Sequence, residues 1–227
     1  MAEPIYAEYF FDLSGWSHAS IFKEGEPVWQ ALERLPEYLA GLGEPVLLGT
    51  VEPGAWVGEK VYLAEGALVQ AGAMVCGPAY IGPGSVIRHG AYVRENCLIG
   101  ADCVVGHCSE TKGCIMLDGA QAPHFNYVGD SILGRKVNLG AGTKLSNLKN
   151  DRSEITVTVA GTTYATGRKK LGAIIGDRVA VGCNAVTSPG TLIGPNSSIY
   201  ANVVVRGFVP ALSIVKLRQT QEIIPMR

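Results

Sequence analysis

An aliphatic residue returns at every sixth position over most of this chain, in two runs that an interruption separates. Neither the 3.6-residue period of a helix nor the two-residue period of a strand produces this spacing. A period of six is typical of a hexapeptide β-helix, in which each unit supplies one short strand and one corner. The first run comprises Val57, Leu63, Val69, Val75, Ile81, Ile87, Val93, Ile99 and Val105, and the second Leu133, Leu139, Leu145, Ile175, Val181, Thr187, Ile193, Ile199 and Val205. The pattern therefore predicts an all-β parallel solenoid.

The hexads also predict how the chain is divided. Three units close one coil of about 18 residues, so positions three hexads apart should stack on neighbouring coils, about 4.8 Å apart. Residues 46–227 are expected to form the β-helix domain, with an external insertion at about 148–170 and a tail at 210–227. Residues 1–45 contain no hexads and form a separate N-terminal segment.

The N-terminal segment has apolar residues at helical spacing over residues 27–35, and Pro36 predicts the start of a second short turn that ends at Gly43. A solenoid exposes an open edge at its first coil, and terminal capping elements normally cover that edge. We therefore expect residues 1–45 to cap the first coil. A partner-binding segment is the alternative.

The first interruption of the hexads lies between Val105 and Leu133. The separation of these two positions is four more than a multiple of six. This excess predicts a bulge near residues 121–130.

The second interruption preserves the frame, because Leu145 and Ile175 are separated by a whole number of hexads. Apolar residues alternate over positions 155–159, which predicts an external hairpin that turns at residues 160–161 and projects from one corner. Loops that leave a rigid scaffold often carry binding sites.

Composition excludes several classes of partner. The formal net charge is −1 and there is no basic stripe, so neither nucleic acid nor an anionic membrane is an expected partner. No apolar run approaches the roughly 18–20 residues of a membrane span, and the first residues do not resemble a signal peptide. The six cysteines show no CxxC spacing, which favours reduced thiols and a cytoplasmic protein.

Two cations occupy equivalent positions one coil apart. Arg94 and Lys112 are separated by three hexads, and each directly follows an in-frame position, so both should project from the same corner. Stacked cations repel each other unless an anion lies between them, which favours a phosphate-binding pair. Solvated surface charge, paired with Glu95 or Glu110, is the alternative.

Histidines raise the question of a metal site. His107 follows His89 by one full coil, and His124 follows His107 by one position less than a coil. Hexapeptide carbonic anhydrases hold zinc with three histidines, two of them in an H-x4-H pair, and no such pair occurs here. We therefore expect no metal.

The most distinctive stretch is Pro123-His-Phe-Asn-Tyr-Val-Gly-Asp130, followed by Val137-Asn-Leu-Gly-Ala-Gly142 and Ser146-Asn147. It resembles the acetyltransferase domain of the bifunctional N-acetylglucosamine-1-phosphate uridyltransferase/glucosamine-1-phosphate acetyltransferases. The archaeal sugar-1-phosphate nucleotidylyltransferase/acetyltransferases are more similar still, with an insertion ending like Gly167-Arg-Lys-Lys-Leu-Gly-Ala-Ile-Ile-Gly176. The resemblance covers about residues 80–220 and implies a left-handed β-helix and a homotrimer with active sites between subunits.

The resemblance also implies roles for particular residues, with acetyl-CoA as co-substrate. The family's catalytic base corresponds to His124. Its contacts to the acceptor correspond to Arg94, Lys112 and Tyr127 for the phosphate, Asn138 for the amino sugar and Lys170 for a further substrate contact. Its contacts to the coenzyme correspond to Asn147 beside the thioester, the stacked Cys183 and Ala201 in the cleft, and Arg218 at a coenzyme phosphate. The family more often has Ser at the position of Cys183.

The residue types suit this chemistry. A sugar ammonium must lose a proton before it attacks a thioester, and a neutral imidazole can accept that proton. Each residue also has a structural interpretation. His124 can be a hydrogen-bonded histidine at a bulge, and Asn138 and Asn147 can serve left-handed backbone corners.

The sequence thus predicts a cytoplasmic, trimeric hexapeptide acyltransferase that acetylates the amine of a sugar phosphate or nucleotide sugar. Residues 1–45 do not match the family's large nucleotidyltransferase domain, so nucleotidylyl transfer is not expected of this chain. The alternative is a non-catalytic, sugar-nucleotide-binding or regulatory subunit related to a UDP-N-acetylglucosamine pyrophosphorylase. The set His124, Asn138 and Asn147 favours the enzyme, because a scaffold has no need of a base.

Overall fold

The computed structural model of the protein describes residues 3–226. Met1 and Ala2, which open the predicted N-terminal segment, and Arg227, which ends the predicted tail, lie outside the described residues. In chain order the strands are β1 (Thr50–Val51), β2 (Trp56–Val57), β3 (Val61–Leu63), β4 (Leu68–Val69), β5 (Met74–Val75), β6 (Ala79–Ile81), β7 (Val86–Ile87), β8 (Tyr92–Val93), β9 (Cys97–Ile99), β10 (Val104–His107), β11 (Glu110–Lys112), β12 (Cys114–Met116), β13 (Gln121–His124), β14 (Tyr127–Gly129), β15 (Ile132–Leu133), β16 (Asn138–Leu139), β17 (Lys144–Leu145), β18 (Thr156–Val159), β19 (Thr162–Ala165), β20 (Ala173–Ile175), β21 (Ala180–Val181), β22 (Val186–Thr187), β23 (Thr191–Ile193), β24 (Ser198–Ile199), β25 (Val204–Val205), β26 (Phe208–Val209) and β27 (Ile214–Val215).

Every third strand of the solenoid joins the same parallel sheet, so the chain winds around three flat sides. Sheet 1 has the order β1-β4-β7-β10-β13-β16-β21-β24-β27, and sheet 2 the order β2-β5-β8-β11-β14-β17-β22-β25. Sheet 3 runs from β3 through β6, β9, β12, β15, β20 and β23 to β26. The predicted fold class, a parallel β-helix built from hexapeptide repeats, is confirmed.

The hexad residues point into the solenoid and form its core. Leu63, Ile81 and Ile99 stack on successive strands of sheet 3 and are fully buried. Burial of each such side chain contributes about 1.5–3 kcal/mol. Thr187, the polar member of the pattern, is also buried, and its hydroxyl finds no hydrogen-bond partner among the described residues. The six-residue period therefore marks the positions whose side chains point into the solenoid.

Two coils are shortened by a single position each, and the predicted bulge is wrong. Val86 pairs with Val104 across a full coil of three hexads. Val104 then pairs with Gln121, and Gln121 with Asn138, in each case one position earlier than the hexads require. A loss of two residues in total brings the hexads into the same frame as a gain of four residues would. Both fall where sheet 2 turns into sheet 3, at corners whose backbone is left-handed at Gly113 (φ 53°) and Asp130 (φ 46°).

The N-terminal segment contains α1 (Ala7–Phe10), a 3-10 helix (Ala19–Ile21) and α2 (Gln30–Ala40). The predicted break at Pro36 is wrong, since Pro36 lies inside α2. A proline within a helix removes one hydrogen bond. Burial of Leu35 and Leu39 on either side of it keeps the helix continuous.

The segment covers the outer face of sheet 3, in place of the expected cap over the first coil. Trp29 and Leu35 pack with the outward aliphatic residues of that sheet in a second core. Near the last coil, the hydroxyl of Tyr9 accepts a hydrogen bond from the backbone N–H of Ala211 (3.1 Å). The face needs this cover because its outward residues are apolar and would otherwise lie in water.

The insertion forms the predicted hairpin, in which β18 and β19 pair antiparallel around residues 160–161. It does not project freely. Ile155, Val157 and Val159 are buried in the second core, and the rings of Trp29 and Tyr164 lie 6.5 Å apart. The hairpin and the N-terminal segment therefore share one side of the solenoid.

The C-terminal tail starts later than predicted. Residues 210–215 still belong to the solenoid, because β27 pairs with β24. All six cysteines are free thiols. Among residues 3–226, no helix has the length and apolar character needed to span a bilayer.

Candidate functional site

The predicted site residues fall mainly on the two corners that border sheet 2. We call the corner between sheets 2 and 3 the cation corner; it holds Arg94, Lys112, Asp130, Asn147 and Arg168. We call the corner between sheets 1 and 2 the histidine corner. It holds His89, His107, His124, Cys183 and Ala201.

The cation corner is stacked as the spacing predicts. The backbone N–H of Arg94 donates to the carbonyl of Thr111 (2.8 Å), which places Arg94 beside Lys112 on the next coil. The insertion leaves and re-enters the solenoid at the same corner, where the backbone N–H of Leu171 donates to the carbonyl of Asn147 (3.0 Å). Lys170 is exposed next to this junction.

Arg94 is held by carboxylates. Its guanidinium contacts Glu110 at 3.1 Å and Glu95 at 3.4 Å, and all three side chains are about one-third exposed or more. Exposed ion pairs of this kind are worth about 0–1 kcal/mol. The predicted pairing of Arg94 with Glu95 and Glu110 is therefore present, and the phosphate-binding pair stays a prediction.

Lys112 belongs to a less exposed network around Asp130. The Lys112 ammonium lies 3.5 Å from Asp130 Oδ1, and the Arg168 guanidinium lies 4.0 Å from the same oxygen. The other oxygen, Oδ2, accepts a hydrogen bond from Asn147 Nδ2 (2.5 Å). Arg168 also pairs with Glu33 of α2 (2.5 Å), which connects the N-terminal segment to the corner.

Tyr127 reaches the cation corner from the outer face of sheet 2. Its hydroxyl accepts a hydrogen bond from Asn147 Nδ2 (3.2 Å). Partial burial raises the pKa of Tyr127, and the Asn147 hydrogen bond opposes this shift. The phenol therefore keeps its proton at neutral pH and can donate it to an anion.

The histidine corner contains a ladder of rings. The rings of His89 and His107 stack with centroids 5.6 Å apart and planes inclined by 10°. Nδ1 of His89 lies 2.7 Å from the carbonyl of Ala71, and Nδ1 of His107 lies 3.0 Å from the carbonyl of His89. These bonds fix both rings to the preceding coil. Within residues 3–226, no three His, Cys, Asp or Glu side chains are grouped to hold a metal ion.

His124 continues this ladder but differs from the other two rungs. It is the register partner of His107, and its backbone N–H donates to Oδ1 of the buried Asn126 (3.0 Å). Its imidazole is exposed and has no hydrogen-bond partner among the described residues. The structure therefore fixes the backbone of His124 and leaves its ring free.

The remaining predicted residues are Cys183, Ala201, Asn138 and Arg218. Cys183 and Ala201 are stacked as predicted, since the backbone N–H of Asn202 donates to the carbonyl of Cys183 (2.9 Å). Asn138 is exposed on the outer face of sheet 1, and Arg218 is exposed in the tail. In the part of the chain that the structure describes, neither belongs to the cation corner.

Within one chain, the predicted residues thus form two groups. Lys112, Tyr127 and Asn147 are brought together, with Arg94 beside them, while His124 lies across sheet 2 from Lys112. The sequence interpretation missed Asp130 and Arg168 as members of the site. The available signal for Asp130 was the spacing itself, because Asp130 follows Lys112 by 18 residues, the same separation as between Arg94 and Lys112.

The fold and site define a hexapeptide-repeat β-solenoid with a cation corner. A family model described as "GMPPB C-terminal domain" matches residues 75–186. The bifunctional sugar-1-phosphate nucleotidylyltransferase/acetyltransferase of Sulfurisphaera tokodaii is 43% identical over 100 residues, which are 44% of this chain and 25% of that protein. The bifunctional protein GlmU of Methanococcus maripaludis is 42% identical over 110 residues, 48% of this chain and 26% of that protein.

These relatives confirm the resemblance to the sugar-1-phosphate nucleotidylyltransferase/acetyltransferases. The chain spans about a quarter of the length of the curated relatives that it matches. A crystal structure of UDP-N-acetylglucosamine acyltransferase aligns with a TM-score of 0.41 at 13% identity, covering 73% of this chain and 71% of that one.

Proposed function

We propose that this chain transfers an acetyl group from acetyl-CoA to the amine of a sugar phosphate or nucleotide sugar. The observation that carries the proposal is the free imidazole of His124 on a fixed backbone, within the run Pro123–Asp130 on which the resemblance to the acetyltransferases rests. The cation corner supplies Arg94, Lys112 and the Tyr127 hydroxyl for the acceptor's phosphate.

In the proposed reaction, a ring nitrogen of His124 accepts a proton from the acceptor's ammonium group and leaves a neutral amine. The amine nitrogen then attacks the thioester carbon, an amide bond forms and the carbon–sulfur bond breaks. The nitrogen loses its second proton as the amide forms, and the leaving thiolate takes up that proton and departs as the coenzyme thiol. Positioning of amine and thioester supplies much of the rate enhancement.

We further propose a homotrimer in which the two corners meet between neighbouring chains. In one chain they lie on opposite borders of sheet 2, so a single chain does not present base and cations to one ligand. Asn138, Cys183, Ala201 and Arg218 are proposed to serve the acceptor and coenzyme across that interface, and Lys170 and Asn147 to serve it from the cation corner.

The test is replacement of the base. His124→Ala should lower turnover by roughly 10²–10⁴-fold, the usual share of a general base, with folding intact. Free-thiol release from acetyl-CoA with glucosamine-1-phosphate and related amino-sugar phosphates measures turnover. His89→Ala, on the same corner two coils away, is the matched control and should keep wild-type activity. Wild-type turnover in His124→Ala would remove His124 as the base.

A second candidate is a non-catalytic subunit that binds sugar nucleotides. The observation on its side is the match of residues 75–186 to the family described as "GMPPB C-terminal domain". This candidate predicts binding of a nucleotide sugar by calorimetry with no thiol release for any acceptor in the panel.

A further inference from the structure

Asp130 occupies the centre of the cation corner although no role is assigned to it. Its carboxylate is buried, with the residue only 6% exposed. Three side chains from three separate parts of the chain approach it: Lys112 on β11, Asn147 after β17 and Arg168 in the insertion. Its backbone is tied as well, since its N–H donates to the carbonyl of Lys112 (2.8 Å) and its carbonyl accepts from Gly172 (2.8 Å). An ionised side chain is buried at such a place only when its partners satisfy it.

The carboxylate determines which way the Asn147 amide points. An ionised carboxylate only accepts hydrogen bonds, so the group that Asn147 turns toward Asp130 must be its NH2. The same nitrogen donates to the Tyr127 hydroxyl (3.2 Å). Tyr127 therefore uses an oxygen lone pair within the network and keeps its own proton for another acceptor. The side-chain oxygen of Asn147, in turn, has no donor among the described residues and is left to accept from a ligand.

We infer that Asp130 is a positioning residue that orients the Asn147 amide and the Lys112 ammonium, and through them directs the Tyr127 proton toward the acceptor's phosphate. The inference rests on the proposed function for the ligand, but the orientation itself depends only on the contacts around Asp130. One fixed carboxylate thus sets the donors that face the phosphate and the direction in which the side-chain oxygen of Asn147 points. Because Arg168 pairs with both Asp130 and Glu33, the N-terminal segment supports the same carboxylate.

Asp130→Asn is the informative variant, because asparagine keeps the size and tolerates the left-handed backbone. It removes the charge and lets the amide at position 147 turn over. We expect glucosamine-1-phosphate to bind about tenfold more weakly and turnover to fall about 10- to 100-fold, as for other small misplacements of reacting groups. Asp102→Asn is the matched control, since Asp102 is exposed at another left-handed corner (φ 54°) and should behave as wild type.

A paired variant tests the direction of the hydrogen bonds. Asp130→Asn combined with Asn147→Asp keeps one carboxylate for Lys112 and Arg168, so the fold should survive. The carboxylate at position 147 would accept a hydrogen bond from the Tyr127 hydroxyl, whereas the wild-type Asn147 amide donates one to the Tyr127 oxygen. We therefore expect the pair to melt close to wild type and yet to bind sugar phosphate more weakly than wild type.

The outcomes separate the two proposals. Wild-type affinity and turnover in Asp130→Asn, or tighter sugar-phosphate binding, would overturn the positioning role, because the carboxylate would then be idle or a competitor for Lys112. If the wild-type protein releases no thiol with any acceptor, the proposed reaction fails but the affinities still decide the role of Asp130. Crystal structures of the wild type and Asp130→Asn give a ligand-independent readout: unmoved Lys112 and Asn147 side chains would overturn the inference.

Discussion

At the scale of single residues, the two cations of the cation corner are held very differently. Arg94 is paired at the surface with two glutamates, while Lys112 is less exposed and lies against a buried aspartate. A ligand phosphate would replace the partners of Arg94 but join an existing network at Lys112. Under the proposed function, we therefore expect loss of either cation to weaken the same phosphate contact by a different route.

Arg94→Ala and Lys112→Ala should each lower acceptor affinity by about 1.5–3 kcal/mol, the range for a charge-assisted hydrogen bond. Their effects should not add, because both cations contact one phosphate. Titration calorimetry with glucosamine-1-phosphate and with glucosamine measures the affinity of each variant for the phosphorylated and the unphosphorylated sugar. Arg206→Ala, an exposed arginine on the same corner beyond the insertion, is the control. Equal wild-type affinity for the two sugars would contradict a phosphate-binding pair.

The cations were predictable from sequence because a spacing of three hexads translates directly into neighbouring coils. Asp130 lies at the same spacing, 18 residues after Lys112, and it ends the most distinctive motif, so its contact with Lys112 could have been predicted as well. The sequence interpretation placed a bulge there instead, because an interrupted period does not reveal whether residues are lost or gained. Arg168 and Glu33 belong to parts of the chain without hexads, so no period relates them to the site.

At the scale of elements, the side cover of sheet 3 was the largest departure from the sequence interpretation. A helical pattern shows which side chains of α2 are buried but does not say against which surface. The outward residues of sheet 3, such as Leu98, Ile115 and Ile132, are apolar as well, and this second apolar column is what the N-terminal segment and the hairpin cover.

We expect His18 to make the packing of the N-terminal segment on sheet 3 sensitive to pH. Its ring is buried beside Tyr80, Nδ1 lies 3.1 Å from the Tyr38 hydroxyl, and Nε2 has no partner among the described residues. Burial lowers the pKa of His18 from its ordinary value of 6.5, and the nearby Asp118 opposes the shift. A base with a lower pKa in the folded state takes up its proton first in the unfolded chain. Its contribution to stability is therefore present above pH 6.5 and is lost as the pH falls toward the folded-state pKa.

We expect the thermal unfolding midpoint of the wild type to fall between pH 7.5 and pH 5 more steeply than that of His18→Phe. Phenylalanine keeps the aromatic contacts and cannot titrate. Differential scanning calorimetry in matched buffers measures the difference, and His89→Phe at an exposed position is the control. Parallel curves for the wild type and His18→Phe would show that the buried ring does not titrate during unfolding.

At the scale of the whole molecule, one of the three sides is covered and two are open. The outer face of sheet 2 carries Trp56, Met74 and Tyr92, which are 50%, 40% and 39% exposed. Closed rings of identical subunits bury such faces against their neighbours. Because sheet 3 is occupied, we expect contacts between copies to use sheets 1 and 2, which meet at the histidine corner.

We therefore expect a trimer, with three times the 24.0 kDa mass of one chain. Light scattering at micromolar concentration measures this mass. Removal of residues 216–227, which leaves β27 in place, should weaken coenzyme binding and preserve the trimer, since Arg218 lies in the removed part. A monomer in this measurement would contradict the composite site and with it the main route to acetyl transfer.

The two shortened coils have a consequence for how the chain finds its fold. In a perfectly regular solenoid, a strand that pairs one coil too early meets nearly the same surroundings, so slipped ladders compete with the correct one. Here a register shift by one coil would pair a shortened coil with a full-length coil. One residue would then have no register partner, at the corner where Gly113 and Asp130 have left-handed backbone. The shortened coils thus make the native register of the repeats more stable than the registers shifted by one coil. The residues grouped around Asp130 come together only in that alignment.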